Sequence, residues 1–265
     1  MLSLRDLLEG SPRAASLEPI IAAAEACLRS WQPQWTGFLD GALREEAEQR
    51  LAGLSELRVE AWGGYPGAER CRLLCQRAEA AEPLEQLIAL PAELASGLEL
   101  AGNFLFDPAE PSEFQASLVA AGGAIEELGD LWIRGDRGAQ AIVASPLAER
   151  LHGQVGRVRT VEIRFEARPL NSLQPPVRRL SRSLTTVEAS TRLDAVASAG
   201  FGLSRSRMAE LIRQGAVRIG WQVVTSPSRD LRAGERVRLD GRGDLLVEGV
   251  EATKRDRYRI RLLRS

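Results

Sequence analysis

The stretch RLDAVASAGFGLSRSRMAELIRQGAVRIGWQVV, residues Arg192–Val224, decides how the C-terminal part of the chain folds. Thr191 is a good N-cap, and Asp194 stands three residues later in a capping-box-like position. These residues predict the start of a short helix, which Gly200 is expected to end. An Arg-Leu-Asp string also precedes catalytic residues in some RNA-modifying enzymes, but the capping role is sufficient to explain Asp194.

A second helix follows directly. Ser204 is placed to cap it, and Gly215 is expected to stop it after about Gln214. Its apolar residues recur at helical spacing and are interpreted as core: Met208, Leu211 and Ile212. Two short strands then follow, Val217–Ile219 and Gln222–Val224, joined by a tight Gly220-Trp221 turn. Trp221 is compatible with two roles, stacking on a base or covering the edge of the core.

The first turn of the second helix carries an electrostatic conflict. Arg205 and Arg207 lie where the helix dipole disfavours cations, at a cost of a few tenths of a kcal/mol. A bound phosphate would reverse the sign, because it accepts hydrogen bonds from free first-turn N–H groups and pairs with arginines. This pattern predicts a nucleic-acid site. The competing interpretation is an ordinary solvated, salt-bridged surface.

Further strands complete a small sheet. Leu231–Leu239 turns into an Arg-Val-Arg-Leu alternation, and Leu245–Glu248 and Tyr258–Leu263 continue the pattern. Period-two spacing places Arg257, Arg259 and Arg261 on one strand face. With Lys254 and Arg255 they would form a second basic stripe.

Charge divides the chain into two parts. Residues 1–156 contain 12 Arg and 24 Asp and Glu, for a net charge of −12, whereas residues 157–265 have a net charge of +11. Together they give the overall charge of −1. This asymmetry indicates that the basic part faces a polyanion, although a protein with one acidic and one basic face would show the same numbers.

The remaining chain predicts an α+β protein of three domains. Residues 1–82 are helical-rich, with helices at Ile20–Leu28 and Leu43–Leu54, a strand at Leu57–Trp62, and an element of undecided type at Glu69–Ala81. Residues 83–169 predict a ferredoxin-like β-α-β-β-α-β unit. Its elements are Leu98–Phe106, Glu113–Ala121, Leu128–Arg134, Ala139–Val143, Leu147–His152 and Val158–Phe165. Residues 170–185, with Pro175-Pro176, predict a basic linker to a domain at 186–265.

The Arg192–Val224 string resembles the S4 (alpha-L) RNA-binding domain: Arg-Leu-Asp, a Ser-Arg-Ser helix start, Leu-Ile, then Gly-x-Val and a turn. The likeness continues in Ala61–Arg70, Asn103–Pro108, Leu128–Asp130 and Gly138–Val143, which are similar to YlmH-type proteins. The cyanobacterial and plastid branch, the photosystem II S4 domain proteins, is the most similar. This resemblance implies an N-terminal domain, a central RRM-like domain, a C-terminal S4 domain, and RNA binding associated with the ribosome.

Two departures from the family pattern affect that expectation. Pro111–Ser117 replaces the usual His-Arg-Asp-Phe-Leu-Gly string and the basic run after it, so an RNA contact by this segment is not expected on the family's pattern. The S4 turn usually has Asn, whereas here it is Gly220-Trp221, which keeps the turn but not an Asn contact.

Several protein classes are not supported by the composition. No apolar run is long enough to span a membrane, and Arg5 and Asp6 interrupt any signal-peptide core. Three cysteines argue against a disulfide framework and favour a reducing, cytoplasmic setting. His152 is the only histidine, and no phosphate-binding glycine motif is present, so no enzyme, cofactor or metal site is expected.

The sequence therefore predicts a monomeric, non-catalytic protein that binds structured RNA, ribosomal or transfer RNA on the ribosome, without DNA specificity or membrane insertion. The alternative is a protein-interaction adaptor in photosystem II assembly or expression that binds RNA weakly. The predicted RNA-binding residues are Arg192, Ser204, Arg205, Ser206, Arg207, Arg213, Arg218, Gly220, Trp221, Lys254 and Arg255.

Overall fold

A computed structural model of the chain describes residues 4–87, 94–176, 181–239, 242–253 and 257–265. The chain forms two compact units, Met1–Pro176 and Val177–Ser265. Both contain helices and antiparallel sheets with buried apolar cores, which confirms the predicted α+β class and its helical-rich N-terminal region. Of the helices in these described residues, none has the length and apolar character needed to cross a membrane.

The first unit begins with helices packed on a small sheet of order β1-β3-β2. Its elements are α1 (Ala14–Ser30), β1 (Gln34–Trp35), α2 (Gly41–Leu51), β2 (Leu57–Trp62), β3 (Arg72–Arg77) and a one-turn helix α3 (Leu84–Leu87). Strand β2 has the predicted bounds, and the undecided segment at Glu69–Ala81 contains β3. Residues Leu73, Leu74 and Cys75 of β3 are fully buried, because β3 is the central strand between two neighbours.

A five-stranded antiparallel sheet follows, of order β5-β6-β4-β8-β7. Its elements are β4 (Ser96–Ala101), α4 (Pro111–Ala120), β5 (Leu128–Ile133), β6 (Gly138–Val143), α5 (Ser145–Leu151), β7 (Val155–Val158) and β8 (Val161–Arg168). Without β7, this is the predicted β-α-β-β-α-β arrangement, in which β6 lies between β4 and β5. Helices α4 and α5 pack on one face through Phe114, Leu118, Leu147 and Leu151.

Two predicted strands of this sheet differ from the observed strands by more than one residue. The strand predicted at Leu98–Phe106 ends at Ala101, and a loop follows. The strand predicted at Val158–Phe165 is two strands, because the chain reverses at Arg159, which adopts a left-handed backbone with φ of 53°. Apolar alternation continues on both sides of this turn, so the sequence pattern concealed the reversal.

The second unit is a six-stranded antiparallel sheet of order β11-β10-β12-β13-β14-β9 with two helices on one face. Its elements are β9 (Arg182–Glu188), α6 (Leu193–Phe201), α7 (Arg205–Arg213), β10 (Val217–Ile219), β11 (Gln222–Val223), β12 (Arg236–Leu239), β13 (Gly243–Ala252) and β14 (Tyr258–Arg264). Met208 and Ile212 are fully buried and Leu211 packs partly buried against them, as their helical spacing predicts.

The segment predicted as a linker, 170–185, is structured at both ends. Leu170 and Leu173 pack in a cluster with Trp132 and Ile142 on the central sheet. Its last residues belong to β9, which pairs with β14 along its whole length. Residues 177–180 lie outside the described part of the chain.

Candidate nucleic-acid interface

Helix α6 begins and ends differently from the sequence prediction. The backbone N–H groups of Leu193 and Asp194 donate to the carbonyls of Arg229 (2.7 Å) and Pro227 (3.0 Å), so a distant loop caps the helix. The Thr191 hydroxyl donates to Asp230 instead of capping the helix start. The predicted capping roles of Thr191 and Asp194 are therefore wrong, because tertiary contacts satisfy the first-turn N–H groups.

Gly200 does not end the helix, which continues to Phe201 and stops at Gly202, in the left-handed region with φ of 68°. A Cβ atom at Gly200 would lie only 2.3 Å from the buried Leu245 side chain of β13. The glycine at position 200 therefore allows close packing of helix on sheet.

Asp194 instead joins the starts of the two helices. It is 5% exposed, and both of its oxygens accept hydrogen bonds from two guanidinium groups. Arg192 donates from Nε to Oδ1 (3.1 Å) and from Nη2 to Oδ2 (3.0 Å). Arg205 donates from Nε to Oδ2 (3.1 Å) and from Nη2 to Oδ1 (3.2 Å). One carboxylate thus holds two arginines in defined orientations, and the cluster keeps a net charge of +1.

The protonation of Asp194 follows from the same contacts. Burial alone would raise the pKa of this carboxyl, but hydrogen bonds and charge from Arg192 and Arg205 outweigh the burial and lower it. The hydrogen bond to Asp194 likewise raises the pKa of Arg192. Asp194 is therefore ionised throughout the neutral range, and each arginine uses only its Nε and Nη2 edge on it, which leaves Nη1 for a ligand.

Helix α7 begins as predicted, since the Ser204 hydroxyl accepts from the N–H of Arg207 at 3.3 Å. The predicted electrostatic conflict is resolved within the protein, however. Arg205 pairs with Asp194, and Arg207 pairs with Glu210 at 2.6 Å. A phosphate is therefore not needed to stabilise these arginines, so the dipole conflict no longer argues for a phosphate. Both side chains are 54% exposed, so they remain accessible to a ligand.

Other predicted residues extend along α7. Ser206 is exposed, with its hydroxyl 3.2 Å from that of Ser204. Arg213, in the last turn, is exposed and makes no ion pair with any residue of the described ranges. Val223 of β11 lies 3.4 Å from where a Cβ atom of Gly215 would stand, so the β10–β11 hairpin lies beside this end of the helix.

The hairpin has the predicted tight turn, with positive φ at both Gly220 (53°) and Trp221 (68°), as a type I′ turn requires. Trp221 is half-buried, and the guanidinium of Arg238 lies over its ring at 5.3 Å from the centroid. Arg238 is directly opposite Arg218 in the β10–β12 pairing. Arg238 therefore covers one face of the Trp221 ring. The sequence prediction did not include this arginine. The Arg-Val-Arg-Leu alternation was the signal that could have placed Arg238 on this face.

A second basic stripe was predicted along the last strand. Arg259 and Arg261 alternate with the buried Ile260 and Leu262, so they lie on the face of the sheet opposite the helices. Arg261 pairs with Glu251 at 3.2 Å, which neutralises part of the stripe. The predicted residues Lys254 and Arg255 lie outside the described residues.

The central sheet offers a different surface. On the face opposite α4 and α5, Arg168 forms ion pairs with Glu99 and Glu166. Leu173 covers the same face so closely that a Cβ atom at Gly97 would meet it at 2.7 Å. This acidic and partly covered face is poorly suited to nucleic acid.

A cavity of about 240 Å³ also lies in the first unit, lined in part by Asp40, Arg70 and Asp130. Asp130 accepts from the Tyr65 hydroxyl (2.7 Å) and from the N–H groups of Glu69 and Arg70 (2.8 Å each). Burial and the hydrogen bond to Asp130 raise the pKa of Tyr65. These groups tie the loop before β3 to strand β5. Within the described residues, no group of three His, Cys, Asp or Glu is placed to hold a metal.

Two protein-family models match parts of this chain. Residues 191–237 match the family described as S4 domain, and residues 13–80 match the family described as YlmH, N-terminal. The second unit therefore contains an S4 domain, and the two matches support a YlmH-type S4 protein.

A relative supports the same type. The chain is 26% identical over 227 residues to ribosome-associated protein quality control protein P2 of Bacillus subtilis (strain 168), covering 85% of this chain and 84% of that protein. The chain is also similar to a solved structure, cell division protein ylmH from Streptococcus pneumoniae. That match has 16% identity and a TM-score of 0.42, and it covers 64% of this chain and 94% of the other.

Proposed function

We propose that this chain is a non-catalytic RNA-binding protein that acts in ribosome-associated processes and binds structured RNA through its S4 domain. The observation that carries the proposal is the joined helix start of α6 and α7, where buried Asp194 orients Arg192 and Arg205. An arginine whose orientation is fixed in this way suits a phosphate group, because its guanidinium can donate two hydrogen bonds to the phosphate oxygens at once. The match to the S4 domain and the name of the Bacillus relative support the same proposal.

The ligand is proposed to be ribosomal or transfer RNA recognised by its shape. Phosphate contacts position a protein on folded RNA without reading its sequence. Around α7, the proposed contacts are arginines, serine hydroxyls and a half-buried tryptophan at a tight turn, and nothing in this set favours one base over another. The monomeric state and the location in the cytoplasm belong to the same proposal.

The test is binding of the purified full chain to large ribosomal subunits and to protein-free ribosomal RNA at about 50 and about 200 mM salt. If about 4–6 phosphates are contacted, affinity should fall by roughly two orders of magnitude between these concentrations. An Arg207→Ala/Arg213→Ala variant should bind more weakly, with the log–log salt slope reduced by about one for each arginine that contacts a phosphate.

The choice of variant follows from the structure. Removing Arg205 would leave buried Asp194 with one partner, so a loss of binding could come from misfolding. Arg207 and Arg213 are exposed and can be truncated without that damage. The matched control is Arg29→Ala/Arg58→Ala, which removes the same charge from exposed positions in the first unit. Binding that is indifferent to salt and to Arg207 and Arg213 would overturn the proposal and favour the photosystem adaptor alternative.

A further inference from the structure

The loop between β4 and α4 is residues 102–110, and its residues 102–108 are held at both ends. On one side, the N–H groups of Gly102 and Phe104 donate to the carbonyls of Arg137 (3.1 Å) and Asp136 (2.8 Å). Phe104 is buried and packs against Phe114 of α4, with ring centroids 4.9 Å apart. The loop therefore leaves the sheet along a defined path.

The other end of the loop is held by Asp107. Its carboxylate accepts from the Thr160 hydroxyl at 2.6 Å and from Nε of Arg159 at 2.9 Å. Arg159 is in the left-handed turn between β7 and β8, a conformation that is unfavourable for a residue with a side chain. The turn between β7 and β8 thus holds Arg159 in contact with Asp107 of the loop.

Between the two anchors, Leu105 is 59% exposed and Phe106 is 91% exposed. The N–H of Leu105 donates to the Asn103 side chain at 3.2 Å, which fixes the turn just before the aromatic residue. Phe106 is the most exposed of the large apolar side chains in the described ranges. Phe106 therefore contributes little to the core, and its ring is accessible to a ligand.

Beside the loop there are two arginines whose charge no ion pair within the described residues neutralises. Asp107 of the loop and Glu113 of α4 both pair with Arg159, at 2.9 and 3.6 Å, while Glu110 at the start of α4 is exposed. Hydrogen bonding to Thr160 and the charge of Arg159 lower the pKa of Asp107, so its charge stays in this pair. Arg134 and Arg137 flank the turn that is hydrogen-bonded to the loop. Neither arginine makes an ion pair with a residue that the structure describes, and Asp136 offsets only one of the two charges.

We propose that residues 102–108 form a second RNA contact, in which Phe106 stacks on an unpaired base while Arg134 and Arg137 contact neighbouring phosphates. An aromatic ring beside arginines is the combination that binds single-stranded nucleotides without sequence preference. An apolar pocket on a protein would also accept Phe106, and the Phe106→Leu variant distinguishes that partner from a base. The inference rests on the proposed function and adds the single-stranded RNA chemistry that the S4 surface does not specify.

Three substitutions at two positions test the inference in the full chain, with protein-free ribosomal RNA as the probe. Phe106→Ala should weaken binding by about five- to 150-fold, the range measured when a stacking aromatic is truncated, with an unchanged salt slope. Arg137→Ala should reduce that slope by about one. Phe106→Leu distinguishes an RNA base from an apolar pocket on a protein as the partner of this side chain, because leucine keeps apolar area but has no ring face to stack on a base. It should bind as weakly as the alanine variant.

The controls make each outcome decisive. Val119→Ala removes an exposed apolar side chain from α4 and should leave both binding and thermal stability unchanged. Phe106→Ala should also melt like the native chain, because the side chain is almost fully exposed.

If the native chain binds and Arg207→Ala/Arg213→Ala weakens binding, but Phe106→Ala binds like the native chain, the second contact is wrong and the proposed function stands. If Phe106→Leu restores binding, or if Phe106→Ala affects only intact ribosomal subunits, the partner of the loop is a protein and the inference fails. If the native chain itself does not bind, the proposed function fails first.

Discussion

Replacing Asp194 by Asn tests whether this carboxylate positions the RNA-binding arginines. Asparagine has nearly the same shape, but only Oδ1 remains an acceptor. The hydrogen bonds from Arg192 Nε and Arg205 Nη2 to Oδ1 can persist, whereas those to Oδ2 are lost. An amide NH₂ group then faces two guanidinium donors, which cannot accept its hydrogens.

The expected loss of stability comes from two charge-assisted hydrogen bonds at a 5%-exposed carboxylate. A charge-assisted bond contributes about 1.5–3 kcal/mol, and the exposure of the arginine partners (40% and 54%) reduces this, so the total is about 1–3 kcal/mol. For a domain of this size, each kcal/mol lowers the melting temperature by about 4–8 °C. Thermal unfolding followed by circular dichroism measures the change.

RNA affinity distinguishes positioning from simple charge. The substitution raises the net charge of the cluster from +1 to +2, so long-range attraction alone predicts tighter RNA binding. Loss of the fixed arginine orientations predicts roughly tenfold weaker binding, about 1.4 kcal/mol, with no decrease in salt slope. Glu248→Gln is the matched control, since it makes the same charge change at an exposed site in the same domain. Equal or tighter RNA binding by the folded Asp194→Asn protein would refute the positioning role.

Three further predictions concern acid stability, helix packing and a partly buried hydrogen bond. The pKa of Asp194 is lower in the folded protein than in the unfolded chain, where it is about 4. Its contribution to stability is therefore complete above the unfolded-state pKa and is lost as the pH falls through the folded-state pKa. Thermal melts at acid pH should show this loss in the native chain and not in Asp194→Asn. Gly200→Ala should cost about 1–3 kcal/mol by clashing with Leu245, although alanine favours helices, and a melt no lower than native would contradict this packing. Tyr65→Phe removes a donor from Asp130 and should cost about 1–3 kcal/mol in the first unit, measured by denaturant unfolding, whereas an unchanged midpoint would show that this bond is not needed.

Local patterns were sufficient for much of the fold. The alternation of Leu57–Trp62 predicted β2 to the residue, because one strand face packs on the core. Helical spacing placed Met208 and Ile212 in the core, and Ser204 was correctly predicted to cap α7. Each of these features depends on neighbours within a few residues, so composition and spacing carry the information.

Features that depend on distant partners were decided by tertiary structure. Asp194 has the spacing of a capping residue, yet a loop more than thirty residues later caps the helix and frees the carboxylate for Arg205. Gly200 has the appearance of a helix stop, yet its missing side chain makes room for Leu245. The exposure of Phe106 was equally hidden, since the sequence predicted it as the last residue of a strand that in fact ends at Ala101. Burial and ion pairing depend on which distant segments contact each other in the folded protein, and the local pattern of one sequence does not show those contacts.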